Sequence, residues 1–178
     1  MRVWRAPYRA PGSRARFPHA AALRILLPFA LVLFATACGS CDVPDPDQPV
    51  VWLDGRRTAV RDLTANGRPA LVLFWSMTCP PCLKEIPERN ALYDELQRHG
   101  INMVAVAVRS DPPALVPEAV RKYGIRYPVA LDLDGEFALT FNDADTWPSH
   151  YILSAEGRIV YESEGPVANE VLRRKLLP

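Results

Sequence analysis

The sequence predicts an α/β fold in which helices cover both faces of a mixed central sheet. Two apolar runs, Ala70–Trp75 and Ile101–Val108, have the composition of strands buried on both faces, and a helix-like segment separates them. Such a strand–helix–strand unit makes its strands parallel, whereas a hairpin near the C-terminus adds antiparallel strands. We therefore expect a mostly parallel sheet. The 178 residues, 49% of them apolar, suffice for one domain with a sizeable core.

Seven strands are expected, each a short apolar or β-branched run bounded by turn residues. In chain order they are Val51–Leu53, Thr58–Val60, Ala70–Trp75, Ile101–Val108, Tyr127–Leu131, Ser149–Ser154 and Arg158–Glu162. Asp54-Gly55 lies between the first two, and Ala155-Glu156-Gly157 lies between the last two. These turn residues predict a hairpin at each end of the domain.

Five helical segments complete the pattern. In chain order they are Asp62–Asn66 (a short helix or turn), Pro80–His99, Pro112–Tyr123, Glu136–Phe141 and Val167–Leu177. The longest presents four main apolar residues, and Gly100 is its stop signal. Those apolar residues are Leu83, Ile86, Leu92 and Leu96. The third segment is broken by Pro117 or starts there, because proline lacks the N–H that a helix interior needs.

Cys79-Pro80-Pro81-Cys82 joins a buried strand to the longest helix. Two thiols at this spacing can close a small ring and exchange a disulfide with another protein. Cys79, in the first helical turn, faces unpaired N–H groups and the positive end of the helix dipole, so its pKa is expected below the free value of about 8.5. Cys82, one turn further on, is expected to be more buried and to resolve the mixed disulfide. Pro80 and Pro81 remove donors near the thiolate, which predicts a reductant rather than a strong oxidant.

Other roles for the cysteines stay open at this stage. Cys79 and Cys82 could form a structural disulfide, although a bridge over so short a loop stabilises little. Together with Cys38 and Cys41 they could hold zinc, or with His150 they could carry copper as a chaperone does. A disulfide-donating oxidase and a thiol peroxidase supported by Ser76 are further alternatives. We favour disulfide exchange with no metal and no cofactor.

The charge distribution is uneven. Six arginines lie in the first 24 residues, which contain no acid: Arg2, Arg5, Arg9, Arg14, Arg16 and Arg24. Without these six, 15 of the 21 Lys and Arg residues remain against 20 Asp and Glu residues, a net charge of −5. An acidic domain argues against a nucleic-acid partner.

An export signal explains the basic start. The apolar run Ile25–Ala37 is shorter than the ~20 residues that a membrane span needs, and it fits the central region of a signal peptide. Ala35-Thr36-Ala37-Cys38 is either an A-x-A cleavage site or a bacterial lipobox that makes Cys38 a lipidated first residue. An uncleaved anchor is the third possibility. We favour lipidation of Cys38, and all three possibilities place the domain outside the cytoplasm.

The predicted organisation is a signal peptide over residues 1–37, a tether over residues 38–49 and one domain over residues 50–178. The tether is rich in Pro and Asp, a composition typical of an extended and solvated segment. Cys41 is expected to be a thiol without a function in this leader.

Four features together resemble the TlpA/ResA-like extracytoplasmic thiol–disulfide oxidoreductases of the thioredoxin superfamily. They are Phe74-Trp75 before the motif, Cys79-Pro80-Pro81-Cys82 at the helix start, Lys84-Glu85-Ile86-Pro87 after it, and Trp147-Pro148-Ser149 before a strand. The resemblance covers the domain from about residue 50 to residue 177. It implies a thioredoxin-like fold with an N-terminal hairpin, and the unit Pro112–Leu131 resembles the helix–strand insertion of this family.

The resemblance also implies roles for individual residues. Glu85 would influence proton transfers of the dithiol, and Pro148 would form a cis peptide bond whose neighbouring backbone binds a substrate strand. Trp147 would cover the dithiol or line the substrate groove, although Val or Thr is usual there. Thr78 stands where many members have Trp, and Leu73 stands where plain thioredoxins have a buried acid.

As for partners, the resemblance implies disulfides of exported proteins as substrates, cytochrome c maturation as one setting, and a membrane thiol as electron donor. We expect a monomer held by its lipid on the periplasmic side of a membrane.

Overall fold

The computed structural model describes residues 43–142 and 144–177. The signal peptide predicted over residues 1–37, the lipidation site Cys38 and Cys41 lie outside these residues. Within them, no helix is both long enough and apolar enough to cross a membrane.

Seven strands and four α-helices form the described part of the chain. The strands are β1 (Pro49–Trp52), β2 (Arg57–Ala59), β3 (Ala70–Trp75), β4 (Asn102–Ala107), β5 (Val129–Leu131), β6 (Ser149–Leu153) and β7 (Ile159–Glu164). The helices are α1 (Pro80–Arg98), α2 (Val116–Tyr123), α3 (Glu136–Leu139) and α4 (Asn169–Leu176). A 3₁₀ turn over Val60–Leu63 occupies the place of the first predicted helical segment.

All seven strands form one sheet in the order β2-β1-β5-β4-β3-β6-β7. Parallel pairing is confined to β3 with β4 and β4 with β5, whereas the other four neighbouring pairs are antiparallel. The prediction of a mixed sheet is confirmed, but the prediction of a mostly parallel one is wrong. The N-terminal hairpin adds to β5 in the antiparallel sense, and nothing in its local sequence indicates that position.

An apolar core lies on each face of the sheet, and β3 contributes side chains to both of them. Leu71, Leu73 and Trp75 point to the face covered by α1, α2 and α4. Ala70, Val72 and Phe74 point to the face covered by the 3₁₀ turn and α3. Burial on both faces explains the uninterrupted apolar sequence of this strand.

Most segments differ from their predicted bounds by a few residues, and two of these differences affect how the domain is built. Helix α2 begins at Val116 rather than at residue 112, with Pro117 in its first turn, where a missing N–H is tolerated. Ordered structure also starts before residue 50, since the carbonyl groups of Pro46 and Gln48 accept hydrogen bonds from the 3₁₀ turn. The C-terminal part of the predicted tether therefore packs against the domain.

Candidate active site

The two cysteines of the motif lie between the end of β3 and the start of α1. Cys79 is the N-cap of α1 and Cys82 lies in its first turn. A disulfide joins them, with a Cα–Cα distance of 5.3 Å. Cys79 is partly exposed, whereas Cys82 is 5% exposed. The sulfur of Cys79 is therefore the more accessible of the two to an outside thiol.

The helix start gives the Cys79 sulfur one backbone donor. The N–H of Cys82 points at Cys79 Sγ over 3.2 Å. Residues 80 and 81 are both proline and have no N–H to add. The carbonyl oxygen of Trp147 lies 3.5 Å from Cys79 Sγ on the other side. This environment favours the thiolate through the helix dipole but with fewer direct hydrogen bonds than a helix start can supply.

The segment that precedes Cys79 is held by Asp111, a residue that sequence reasoning missed. Asp111 is 4% exposed, and its carboxylate accepts hydrogen bonds from Ser76 Oγ (2.7 Å) and from the N–H of Met77 (2.8 Å). Ser76 Oγ in turn lies 3.0 Å from Thr78 Oγ1. Asp111 follows β4, the parallel neighbour of β3, and parallel strands end at the same edge of a sheet. That position is the only sequence signal that could have revealed it.

Replacing Asp111 with alanine should destabilise the protein by about 1–3 kcal/mol, because the Met77 N–H and the Ser76 hydroxyl lose a buried acceptor. Chemical denaturation of the disulfide form measures the change. Asp94→Ala is the matched control, since Asp94 is exposed and pairs with exposed Arg126. An Asp111→Ala variant no less stable than the control would contradict the role of this carboxylate.

The second loop at the site contains Trp147 and Pro148. The peptide bond between them is cis, as the resemblance implied, and Pro148 is buried at the start of β6. Trp147 is partly exposed and packs against the cores of both faces. Its ring also lines an open cleft of about 500 Å³ whose rim includes Arg109, Asp134 and Asp145. The loop thus brings the backbone carbonyl of Trp147 to the edge of the disulfide, while the side chain of this residue lines the neighbouring cleft.

Glu85 lies one turn after Cys82 on the helix side that faces the sheet. Its side chain is 11% exposed, and both carboxylate oxygens are occupied. Oε1 accepts hydrogen bonds from Arg89 Nη2 (2.6 Å) and from the N–H of Val167 (2.9 Å). Oε2 lies 3.3 Å from Nε2 of His150. Glu85 is therefore part of a buried polar cluster rather than a solvated surface acid.

Arg89 and His150 complete this cluster. Arg89 is 2% exposed and His150 is 0% exposed. The guanidinium also donates to Asn169 Oδ1 and, over 2.6 Å, to the carbonyl of Val167. His150 lies opposite Leu73 across β3 and β6, next to the position where plain thioredoxins have their buried acid. One feature of the sequence could have revealed Arg89, because it falls at helical spacing within the apolar stripe of α1.

The cluster determines the charges of its members. Burial by itself raises the pKa of Glu85, but the hydrogen bond from His150 and the charge of Arg89 outweigh it and hold that pKa below its usual value. Burial lowers the pKa of His150, and the hydrogen bond to Glu85 only partly opposes this. At neutral pH the cluster therefore contains a carboxylate, a guanidinium and a neutral imidazole.

Lys84, next to Glu85 on α1, is exposed. Lys84 and Glu85 line an open cleft of about 390 Å³ beside Pro81. No group of three or more His, Cys, Asp and Glu side chains among residues 43–142 and 144–177 is arranged to hold a metal ion. The one histidine considered as a copper ligand, His150, has its Nε2 directed at Glu85.

Comparison with known proteins is consistent with this geometry. The chain matches the family described as Redoxin over residues 31–175. It is 28% identical over 131 residues to the thiol-disulfide oxidoreductase ResA of Bacillus thuringiensis subsp. konkukian, which covers 74% of this chain and 73% of that protein. ResA of Bacillus subtilis is 29% identical over 119 residues, 67% of this chain and 64% of its own length.

Two solved structures share the fold. StoA from Bacillus subtilis superposes with a TM-score of 0.61 at 23% identity, over 71% of this chain and 92% of that one. A thiol:disulfide interchange protein of the thioredoxin family from Chlorobium tepidum superposes with a TM-score of 0.64 at 25% identity, over 75% and 93% of the two chains. The thioredoxin-like fold and the TlpA/ResA-like resemblance predicted from the sequence are confirmed.

Proposed function

Because the chain belongs to the Redoxin family and is a thiol–disulfide oxidoreductase, we propose that it reduces disulfides of exported proteins with the Cys79/Cys82 dithiol. The observation that carries the proposal is the pairing of a partly exposed Cys79 at a helix start with a buried Cys82 in disulfide contact. The partly exposed Cys79 is the cysteine that can react with a client, and the buried Cys82 is left to attack the mixed disulfide.

The reaction takes place in two displacement steps. In the first, the Cys79 thiolate attacks one sulfur of the client disulfide, a Cys79–client bond forms, and the other client sulfur leaves with the electron pair and takes a proton. In the second, Cys82 loses its proton and attacks Cys79 Sγ, and the second client sulfur leaves and is protonated. The client gains two electrons and two protons, and the Cys79–Cys82 disulfide of this structure is the product.

We assign the neighbouring residues to these steps. Glu85, one turn from Cys82, accepts the proton that Cys82 gives up. The backbone at Trp147 and Pro148 pairs with the extended client segment, and the Trp147 ring contacts it from the cleft. The acyl chains on Cys38 hold the enzyme at the periplasmic face of a membrane, and a membrane thiol protein returns the electrons. Apocytochrome c is one client class that fits an exported dithiol reductase.

The reducing direction is supported by the two prolines. A thiolate is stabilised by each N–H aimed at it, and a stabilised thiolate makes the disulfide more oxidising. Among the residues that the structure describes, the N–H of Cys82 is the one backbone donor aimed at the Cys79 sulfur. We expect a potential closer to that of thioredoxin, about −270 mV, than to that of the strongest oxidant, about −120 mV.

Replacing Pro81 with alanine should raise the reduction potential by about 30 mV, because it restores a second first-turn donor for the Cys79 thiolate. The pKa of Cys79 should fall in the same variant. Equilibration with glutathione buffers followed by alkylation measures the potential. Pro87→Ala is the control, since Pro87 lies in the same helix away from its first turn. A Pro81→Ala potential equal to that of the wild type would contradict this assignment of the prolines.

The direction itself is tested by titrating the wild-type dithiol against the same buffers. A value near −120 mV would overturn the proposed reductase in favour of the disulfide-donating oxidase. A strongly negative value, with reduction of a disulfide-bonded peptide by the reduced protein, would support it.

A further inference from the structure

The geometry points to His150 as a positioning residue for disulfide resolution: its Nε2–H holds Glu85 as an oriented carboxylate that accepts the proton of Cys82. This inference rests on the proposed function, since it concerns the base for the second displacement step. It extends that function to a histidine on β6 and to an arginine buried in the apolar face of α1.

The tautomer of His150 follows from counting hydrogens. Arg89 Nη2 carries two hydrogens, and two acceptors at 2.6 Å, Glu85 Oε1 and the carbonyl of Val167, use both. The 3.2 Å approach of Nη2 to His150 Nε2 therefore has no third hydrogen to donate. Glu85 Oε2, 3.3 Å from Nε2, is an acceptor. The proton of the imidazole must accordingly lie on Nε2 and be donated to Glu85.

The same contacts keep the imidazole neutral. His150 Nδ1 is buried and has no hydrogen-bond partner among residues 43–142 and 144–177. A second proton on Nδ1 would be left without an acceptor and would add a positive charge beside the Arg89 guanidinium. The ring therefore acts as a fixed donor to Glu85.

The hydrogen-bond capacity of Glu85 leaves one free position. Each carboxylate oxygen accepts about two hydrogen bonds. Oε1 is filled by Arg89 and Val167, whereas Oε2 has, among residues 43–142 and 144–177, only the contact with His150 Nε2 at 3.3 Å. Cys82 lies one helical turn away on the same side, and residues three apart on a helix are neighbours. The free position on Oε2 is where a proton from Cys82 can be accepted.

A route to solvent exists for that proton. Glu85 lines the open cleft beside Pro81 and Lys84, whereas Arg89 and His150 are closed off from solvent. Glu85 is thus the member of the cluster at which a proton taken from Cys82 can reach water.

The cluster is expensive to bury, which argues for a role beyond stability. Arg89 lies on the helix side that otherwise buries Cys82, Ile86, Leu92 and Leu96. Apolar residues in place of a buried ion pair usually give equal or greater stability. Two other titratable side chains lie near the cluster: Tyr127, whose pKa is raised by burial, and Glu88, which acts on Arg89 from the exposed side of α1. The neighbouring α4 supplies Asn169, which does not titrate.

The test compares His150→Gln with His150→Asn in the full chain. The amide nitrogen of glutamine occupies the position of Nε2 and can donate to Glu85, whereas that of asparagine corresponds to Nδ1 and cannot reach. Reduced protein is mixed with a disulfide-bonded model peptide, and the concentration-independent second phase, in which Cys82 releases the peptide thiol, is followed against pH.

The acid limb is the pH range in which the rate of this second phase falls as the pH is lowered. We expect it to move to higher pH by about one unit in His150→Asn, because Glu85 loses a donor that favours its charged form. At pH values below the midpoint of the wild-type limb, the asparagine variant should resolve the mixed disulfide about tenfold more slowly than the wild type. His150→Gln should retain the wild-type profile, and so should His99→Asn, the control at an exposed histidine. Glu85→Gln should abolish the limb.

Two results would overturn the inference. An unshifted limb in His150→Asn, with the limb lost in Glu85→Gln, would remove His150 from the mechanism and leave Glu85 in place. A wild-type limb in Glu85→Gln would remove both residues while the exchange reaction of Cys79 and Cys82 stood. Failure of Cys82→Ser to accumulate mixed disulfide would instead overturn the proposed function.

A measurement on the wild-type protein applies even if His150→Asn does not fold. Nitrogen-15 chemical shifts of labelled histidine, assigned with His150→Gln, report which ring nitrogen is protonated. We expect the Nε2–H form at neutral pH, and a ring protonated on Nδ1 instead would overturn the inference.

Discussion

Replacing Cys79 with serine should reduce the rate of disulfide exchange by on the order of a thousandfold or more, to the rate of the uncatalysed reaction with the peptide. A serine hydroxyl is not ionised at neutral pH and does not form a stable bond to sulfur, so the first displacement step has no nucleophile. The fold should survive, because Cys79 is partly exposed and the replacement differs by a single atom. Reduction of a disulfide-bonded peptide measures the change.

Replacing Cys82 with serine should have a different effect, since Cys79 remains. The first step proceeds, the second has no attacking thiol, and a covalent complex with the client accumulates. Non-reducing gels and mass spectrometry of the complex would identify clients of the full-length protein. The double variant Cys79→Ser/Cys82→Ser is the control and should trap nothing. Equal trapping by Cys79→Ser alone would show that Cys82 is the exposed nucleophile and would reverse the assignment.

The location of these cysteines could be predicted because local sequence determines it. Strand β3 was predicted with its observed bounds, since six apolar residues in a row suit only a position buried on both faces. Pro80 and Pro81 then mark the start of the following helix, and Gly100 marks its end. The cis bond at Trp147 came from the family resemblance, and the structure has it.

The rest depends on contacts between distant segments, which local sequence does not encode. The N-terminal hairpin could not be placed at β5, because its alternation fits any open sheet edge. Asp111 reaches the active-site segment from 35 residues away, and Asn169 reaches Arg89 from 80 residues away. Only the positions of Asp111 after β4 and of Arg89 within the apolar stripe of α1 hint at burial, and neither residue type by itself predicts it. Buried polar residues were accordingly the ones that sequence reasoning missed.

Arg89 is the residue whose loss should destabilise the protein most among these buried groups. Arg89→Met keeps the apolar length of the side chain but removes the guanidinium, and we expect a loss of about 3–5 kcal/mol in the free energy of unfolding. The loss arises because Glu85, whose side chain is only 11% exposed, keeps its charge without the guanidinium, while Asn169 and the Val167 carbonyl each lose a donor. Urea denaturation at neutral pH, with the disulfide intact, measures it.

The double variant Glu85→Gln/Arg89→Met separates the two causes of that loss. If the uncompensated carboxylate dominates, removing its charge should recover a large part of the stability, so the effects of the two substitutions will not add. Arg173→Met is the matched control, because Arg173 makes a bidentate pair with Glu95, Nε to Oε1 and Nη2 to Oε2, in a partly exposed position where its loss should matter far less. An Arg89→Met variant no less stable than this control would mean that the cluster is relaxed or hydrated. Glu85 would then not be held in the fixed geometry from which its role at Cys82 was argued.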